Sequence, residues 1–142
     1  MIAVDTNILV YAHRSDAPFH ESAAGAVRAL AEGSSRWALP WPCVHEFLAK
    51  VTHARIFKHP SPLTNAVEQL AEWLRSPMAR AIGEPEDYFD VFSKTVFDSQ
   101  VVGAKIHDAR IAALCTAHGV TELWSADRDF SRFSALSVRN PL

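Results

Sequence analysis

The sequence predicts a three-layer α/β fold in which a mainly parallel sheet of four to five strands lies between helices. Short apolar runs alternate along the chain with longer segments whose apolar residues recur every three or four positions. The first pattern is typical of buried parallel strands, and the second is typical of helices that pack on a sheet. With 142 residues, of which 49% are hydrophobic, we expect a single domain over residues 1–142.

The first half of the chain contains two predicted strands and four predicted helices. The strands cover residues 2–4 and 37–39, and prolines close the second strand. Apolar residues at helical spacing give each longer helix one face for the core. The first helix is predicted to run to residue 11, with Thr6 or Asn7 as its cap, and the second covers residues 19–32 and ends at Gly33. The third helix is predicted from Pro42 to residue 51, and the fourth covers residues 63–74.

The second half of the chain continues the alternation of strands and helices. Strands are predicted over residues 79–82 and 122–124, with a last strand over residues 136–138. One helix is predicted to start at Pro85 and run through residue 96. Another covers residues 106–118 and ends at Gly119 in a left-handed cap.

The overall charge and composition exclude several classes of protein. The formal net charge of −2 argues against a polycationic nucleic-acid binder, although it does not exclude a nuclease that holds metal with carboxylates. No apolar stretch approaches the roughly 20 residues needed to span a bilayer. Because Asp5 interrupts the apolar N-terminal run and no basic segment precedes it, we expect no signal peptide and a cytoplasmic location. The two cysteines are expected to be buried, reduced thiols.

Four of the sixteen acidic residues stand out because their neighbours are apolar: Asp5, Glu46, Asp108 and Asp127. Each has an ordinary structural explanation when taken alone. Asp5 fits a helix cap equally well, Glu46 and Asp108 fit first-turn acids that complement a helix dipole, and Asp127 fits a turn. None of the four is decisive individually.

The four acids together indicate a metal site. The carboxyl ends of parallel strands share one edge of a sheet, where ligands bind. Carboxylates gathered there would raise one another's pKa values unless a divalent cation neutralised them. Oxygen ligands suit Mg²⁺ or Mn²⁺ rather than Zn²⁺, and such a cation can orient a phosphate and activate a water molecule. The chemistry that follows is metal-dependent hydrolysis of a phosphodiester bond.

The chain closely resembles the PIN-domain ribonucleases, specifically the VapC toxins of bacterial toxin–antitoxin pairs. Four motifs in matching order and spacing carry the resemblance over residues 2–133: VDTNILVYA, PCVHEF, KIHDARIAAL and WSADRDF. The resemblance implies a Mg²⁺- or Mn²⁺-dependent endoribonuclease that cleaves structured RNA, often transfer or ribosomal RNA. It also implies a cognate VapB-type antitoxin protein that inhibits the enzyme.

The resemblance assigns roles to individual residues. Asp5, Glu46 and Asp108 match the conserved acids of the family, and Asp127 matches a more variable fourth acid. The remaining matches are support residues: Thr6 and Asn7, which follow the first acid, and Asp129, an acid that many relatives share.

Basic and aromatic residues are further candidates for contact with RNA. Lys50 and Arg55 belong to a basic stretch that begins beside Glu46, and Arg14 follows the opening motif. These cations can meet phosphates, although a solvated helix end explains the basic stretch equally well. The four tryptophans are better explained by core or interface packing than by base stacking. Exposed apolar helix faces would suit a homodimer or an antitoxin groove.

Two alternative functions remain open from the sequence. A phosphatase of the haloacid-dehalogenase type also begins with a strand and an aspartate, but it needs a second aspartate where this chain has Asn7. A PIN-fold module that binds RNA or regulates without cleaving is the other alternative. Because all four acidic positions carry carboxylates, the sequence favours the nuclease.

Overall fold

The structure, a computed structural model, describes all 142 residues and has one sheet of five strands. All neighbouring strands are parallel, in the order β3-β2-β1-β4-β5. The predicted parallel α/β sheet is therefore confirmed. The strands are β1 (Ile2–Val4), β2 (Trp37–Pro40), β3 (Ala79–Ile82), β4 (Glu122–Trp124) and β5 (Ser137–Arg139).

Six α-helices connect and cover these strands. Helix α1 packs on α2 and α3, α3 packs on α4, and α5 packs on α6. None of the helices has both the length and the apolar character that a membrane crossing requires. The helices are α1 (Thr6–His13), α2 (His20–Glu32), α3 (Trp41–Val51), α4 (Leu63–Arg75), α5 (Tyr88–Ser99) and α6 (Ile106–Ala117).

The core lies on both faces of the sheet. Every residue of β2 is buried, and the side chains of a strand alternate between the two faces. Both faces of this strand are therefore covered, as a parallel sheet requires. On the α1–α4 side the helices contribute Ile8, Val27 and Phe47, which are at most 1% exposed. Edge strand β5 is mostly exposed.

The structure refines several details of the sequence-based prediction. Asp5, which the sequence also indicated as a possible helix cap, is the N-cap of α1 in place of Thr6 or Asn7, because its carboxylate accepts a hydrogen bond from the Thr6 amide. Helix α5 begins at Tyr88, three residues after Pro85, since residues 83–87 form a loop and turn. The last strand lies one residue further along the chain than predicted.

The strand order determines where a ligand site can form. The chain runs outward from the central strand β1 through β2 to β3, and then crosses to the other side of β1 for β4 and β5. Strand order therefore reverses between β1 and β4, and the crevice beyond the carboxyl ends of such strands is the usual ligand site of an open α/β sheet. Asp5 directly follows β1, and Ser125 directly follows β4.

Candidate active site

The most deeply buried acid of the molecule lies at this reversal point. Asp5 is only 5% exposed, and both of its carboxylate oxygens accept hydrogen bonds. Oδ1 accepts from the Thr6 amide at 2.8 Å, and Oδ2 accepts from the Ser125 hydroxyl at 2.7 Å and from the Asn7 side-chain amide at 3.0 Å. These donors fix the orientation of the carboxylate at the end of β1.

Ser125 is the residue that links the end of β1 to the end of β4. Its hydroxyl donates to Asp5 and accepts from the Asp127 amide at 3.0 Å. Asn7 strengthens the same link, because its side-chain oxygen accepts from the Ala126 amide at 3.1 Å. The support role expected of Asn7 thus has a structural basis. Sequence reasoning missed Ser125, although a small polar residue directly after a buried strand was a usable signal.

Glu46 joins this network through Thr6. The Thr6 hydroxyl donates to Glu46 Oε2 at 2.9 Å, so a buried side chain at the start of α1 fixes one oxygen of a carboxylate from α3. Lys50, one turn further along α3, pairs with Glu46 Oε1 at 2.8 Å. The Glu46 side chain is 46% exposed, so it lies at the opening of the site rather than at its floor.

Asp108 lies across a cleft from Glu46. Both side chains line a cavity of about 580 Å³ between α3 and the start of α6, together with His45, His107 and Arg110. Asp108 is half-buried and lies 3.5 Å from the ammonium group of Lys105. Sequence reasoning missed Lys105, although a lysine three residues before an acid on a helix is a recognisable ion-pair spacing.

Asp127 and Asp129 lie in the loop after β4. Asp127 caps a short 3₁₀ helix (Arg128–Arg132), because its Oδ1 accepts from the Asp129 amide at 2.9 Å. Its own amide is held by Ser125, so Asp127 belongs to the same network as Asp5. Asp129 forms an ion pair with Lys105, which places its carboxylate near that of Asp108.

Burial and mutual repulsion raise the pKa values of two of these acids. Burial is the main cause for Asp5, and the Glu46 charge raises its pKa further against the hydrogen bonds from Ser125 and Thr6. Burial also raises the pKa of Asp108, and the charges of Asp127 and Asp129 add to this effect while Lys105 opposes it. The acids are therefore close enough to influence one another, and a cation at this edge would relieve their repulsion.

The donor set suits a hard cation, but the side chains are not arranged as a finished metal site. No group of three or more His, Cys, Asp or Glu side chains converges closely enough to hold an ion. Lys50 pairs with Glu46, and Lys105 pairs with Asp108 and Asp129, so ammonium groups neutralise the outer carboxylates. Carboxylate oxygens match the preference of Mg²⁺ and Mn²⁺.

The three basic candidates for RNA contact have different surroundings. Arg14 is buried, and its guanidinium group binds the Asp16 carboxylate at 2.6 Å and the His59 carbonyl oxygen at 2.8 Å. This side chain therefore holds together two loops, and the expectation that Arg14 contacts RNA stays a prediction. Lys50 pairs with Glu46 beside the cleft, and Arg55 is exposed.

The remaining predictions about aromatic and sulfur side chains are mostly confirmed. Trp37, Trp73 and Trp124 are buried, whereas Trp41 is 40% exposed near the cleft. The two cysteines are buried free thiols. Burial, with a contribution from the Asp5 charge, raises the pKa of Cys115 to about 12, so this thiol stays protonated.

The fold and the arrangement of its acids define the class of protein, and comparison with known families agrees. A family model described as PIN domain matches residues 2–136, and the chain belongs to this family. Ribonuclease VapC43 of Mycobacterium tuberculosis is 34% identical over all 142 residues of the chain and 96% of its own length. Ribonuclease VapC48 of the same species is 31% identical over 96% of the chain and 94% of its own length. Within the PIN family, the chain therefore belongs to the VapC ribonucleases.

Solved structures with low sequence identity share the fold. VapBC2 from Rickettsia felis, bound to a DNA fragment from its promoter, matches with a TM-score of 0.70 and 19% identity over 99% of the chain and 98% of that chain. VapC20 of Mycobacterium tuberculosis, a toxin that cleaves the sarcin–ricin loop, matches with a TM-score of 0.68 and 20% identity over 99% of the chain and 100% of its own. Family membership makes an endoribonuclease toxin the supported class, and neither the phosphatase nor the non-cleaving module is favoured.

Proposed function

We propose that this chain is a Mg²⁺-dependent endoribonuclease, with Mn²⁺ as a substitute, that hydrolyses phosphodiester bonds in structured RNA. Asp5, Glu46, Asp108 and Asp127 are its proposed metal-binding and catalytic acids. One observation carries this proposal: Thr6 and Ser125 join three of the four acids into a single hydrogen-bond network at the reversal point of the sheet. Thr6 donates to the carboxylates of Asp5 and Glu46, and Ser125 donates to the Asp5 carboxylate and accepts from the Asp127 backbone amide. The fourth acid, Asp108, shares a cleft with Glu46.

Each residue of the network has a distinct task in this proposal. A bound Mg²⁺ supplies charge neutralisation at a scissile phosphate and lowers the pKa of an attacking water. The Asp5 carboxylate has a fixed orientation because it accepts hydrogen bonds from Thr6, Asn7 and Ser125. Outer hydrogen-bond partners of this kind orient metal ligands and tune their basicity. Thr6 does the same for one oxygen of Glu46.

Lys105 controls the opposite wall of the cleft. Its ammonium group neutralises Asp108 and Asp129, which would otherwise repel each other. An exposed ion pair of this kind contributes little to stability and exchanges easily for another cation. We therefore expect Lys105 to release Asp108 when the metal binds. Asp129 has a secondary role in this proposal, as the second partner of Lys105.

The substrate we propose is transfer or ribosomal RNA, and the site of action is the cytoplasm. The similar toxin VapC20 cleaves the sarcin–ricin loop, which supports a structured RNA target. Lys50 and Arg55 are the cations proposed to meet RNA phosphates, because they are solvent-accessible and lie at or just after the C-terminal half of α3.

The partners we propose are a VapB-type antitoxin and a second copy of the chain. The similar VapBC2 from Rickettsia felis has a name that combines VapB and VapC, and it is bound to DNA. The surface also carries large apolar side chains that a partner would cover. Phe89 and Phe97 on α5 are each 73% exposed, and Leu63 and Val67 on α4 are also exposed.

The test is cleavage of a folded RNA by the purified protein. We expect new RNA ends with Mg²⁺ or Mn²⁺, none with excess chelator, and none with Asp108→Asn in the presence of metal. The control is Asp90→Asn, which removes an exposed acid on α5 and is expected to cut like the parent. Normal cutting by a folded Asp108→Asn variant would remove Asp108 from the site, and cutting in chelator would refute the metal-dependent reaction.

A further inference from the structure

An exposed pair of aromatic rings stands next to the acidic cleft. Trp41 and His45, one turn apart at the start of α3, stack with ring centroids 6.0 Å apart and an angle of 29° between their planes. Trp41 is 40% exposed, whereas the other three tryptophans are at most 8% exposed. An exposed tryptophan is unusual in this molecule, and the core does not account for it.

The structure holds this pair in one place. A Cβ atom at Gly83 would lie 3.1 Å from Trp41 Cδ1, so the absent side chain gives the indole room against the segment after β3. His45 continues the stack toward the cleft and lines the same cavity as Glu46, the next residue along the helix. The two rings therefore form a platform with one end against the backbone and the other end at the proposed reaction site.

The cavity beside the platform suits a small planar group. Its volume of about 580 Å³ lies within the range of about 300–1,000 Å³ that is usual for small-molecule sites. Arg110, whose guanidinium group is held by Glu84 at 2.5 Å, forms part of the wall and can face the polar edge of a ligand. Stacked aromatic side chains next to cationic groups are the usual way in which proteins hold unpaired bases.

We infer that the Trp41–His45 platform is a nucleobase subsite, which stacks one unpaired base of the RNA beside the phosphate to be cleaved. This inference rests on the proposed function, because it takes RNA as the ligand. The base extends the stack from the imidazole ring of His45, and Trp41 supports that ring from behind. The subsite selects RNA segments in which a base is free to turn out of its helix.

Binding of a labelled RNA hexanucleotide in chelator tests this inference without cleavage. We expect Trp41→Ala and His45→Ala each to weaken binding roughly tenfold, the scale of one stacked base, while Trp41→Phe stays within about threefold of the parent. Phe19→Ala is the matched control, because it removes an exposed aromatic ring (61%) in the loop between α1 and α2. Binding of Phe19→Ala should equal that of the parent.

Tryptophan emission gives a second readout. The hexanucleotide should quench the emission of the parent protein, and an abasic hexamer should not. The quenching should disappear in Trp41→Phe, which still binds and retains the three buried tryptophans. Parent-like affinity of a folded Trp41→Ala variant, quenching that persists in Trp41→Phe, or no binding of the hexamer by the parent would each overturn the subsite. Since no step needs metal, a protein that binds through the platform but never cleaves would contradict only the proposed function.

Discussion

The floor and the rim of the acidic cleft are built in different ways. The floor is Asp5, which is buried and accepts hydrogen bonds from Thr6, Asn7 and Ser125. The rim consists of Glu46, Asp108 and Asp129, which are exposed or half-buried and pair with lysines. Neutral hydrogen-bond donors within the fold therefore fix the carboxylate of the floor, whereas lysine side chains, which can move away, pair with the carboxylates of the rim.

This difference explains how the site can have one carboxylate in a fixed orientation while its other carboxylates are not yet arranged as metal ligands. Buried hydrogen bonds to a charged group are strong and costly to break, so the Asp5 carboxylate keeps its orientation whether or not a metal is bound. Ion pairs at the surface are weak, so the rim can exchange a lysine for a divalent cation at little cost. The four predictions below test this division, from the largest expected effect to the smallest.

The largest effect is expected at the floor, from Asp5→Asn. The substitution keeps the size of the side chain and an acceptor for the Thr6 amide, but it removes the buried charge that a cation would meet. We expect RNA cleavage to fall at least about a hundredfold, because the electrostatic effect of the metal is worth several kcal/mol. The measurement is the single-turnover rate at one fixed Mg²⁺ concentration that saturates the parent.

Asp98→Asn is the control for this prediction. It neutralises an exposed aspartate that pairs with Lys94 on α5, so it alters net charge by the same amount. Its cleavage rate should match that of the parent. If Asp5→Asn folded normally and cleaved at the parental rate, the floor would have no part in the chemistry.

The second effect concerns the donor that holds the floor, and the variant is Ser125→Ala. Asp5 Oδ2 would keep only the Asn7 donor, and the Asp127 amide would lose its acceptor. We expect a loss of about 1–3 kcal/mol in the free energy of unfolding and a 10- to 100-fold weaker affinity for Mn²⁺, measured by denaturation and calorimetry.

The control for Ser125→Ala is Ser99→Ala on α5, whose hydroxyl bonds only to backbone carbonyls of its own helix. It should leave metal affinity unchanged. A Ser125→Ala protein that lost stability but bound Mn²⁺ with parental affinity would show that the network serves only the fold.

The sequence predicted the sheet well because its signals are local. Alternating strands and helices can be recognised from apolar spacing alone. Asp5 directly follows such a strand, Asp108 lies in the first turn of such a helix, and Glu46 lies within another helix. Ser125 was missed because its role depends on β4 lying beside β1, and strand order is a long-range property. The contact between the Arg14 guanidinium group and the His59 carbonyl oxygen was missed for the same reason, since the two residues are 45 positions apart.

The aromatic residues show the same limit of local signals. All four tryptophans lie in or beside predicted elements, so the sequence indicated packing for each of them. Only the assembled structure shows that Trp41 is partly exposed and stacks on His45. Exposure depends on which elements meet, and periodicity within one helix does not contain that information.

The third effect is expected at the rim, from Lys105→Met. The ammonium group competes with a metal for Asp108 and Asp129, so removing it should raise the affinity for Mn²⁺ roughly fivefold. Lys94→Met breaks a more exposed lysine–aspartate pair on α5 and should leave the affinity unchanged. Weaker Mn²⁺ binding by Lys105→Met in calorimetry would mean that the lysine positions the rim for metal instead of competing with it.

The smallest effect concerns pH: the increase in Tm that Mn²⁺ causes is expected to depend on pH. Because burial raises the pKa of Asp5 and of Asp108 in the folded protein, both acids take up protons at a higher pH than they do when unfolded. As pH falls through these raised values, the protein without metal loses one buried and one half-buried charge and gains stability, while bound metal must now compete with protons. The rise in Tm on adding Mn²⁺ should therefore shrink from pH 8 toward pH 5, and it should be absent throughout in Asp5→Asn. A constant rise down to the ordinary carboxyl range near pH ~4 would mean that exposed acids of the rim alone bind the metal.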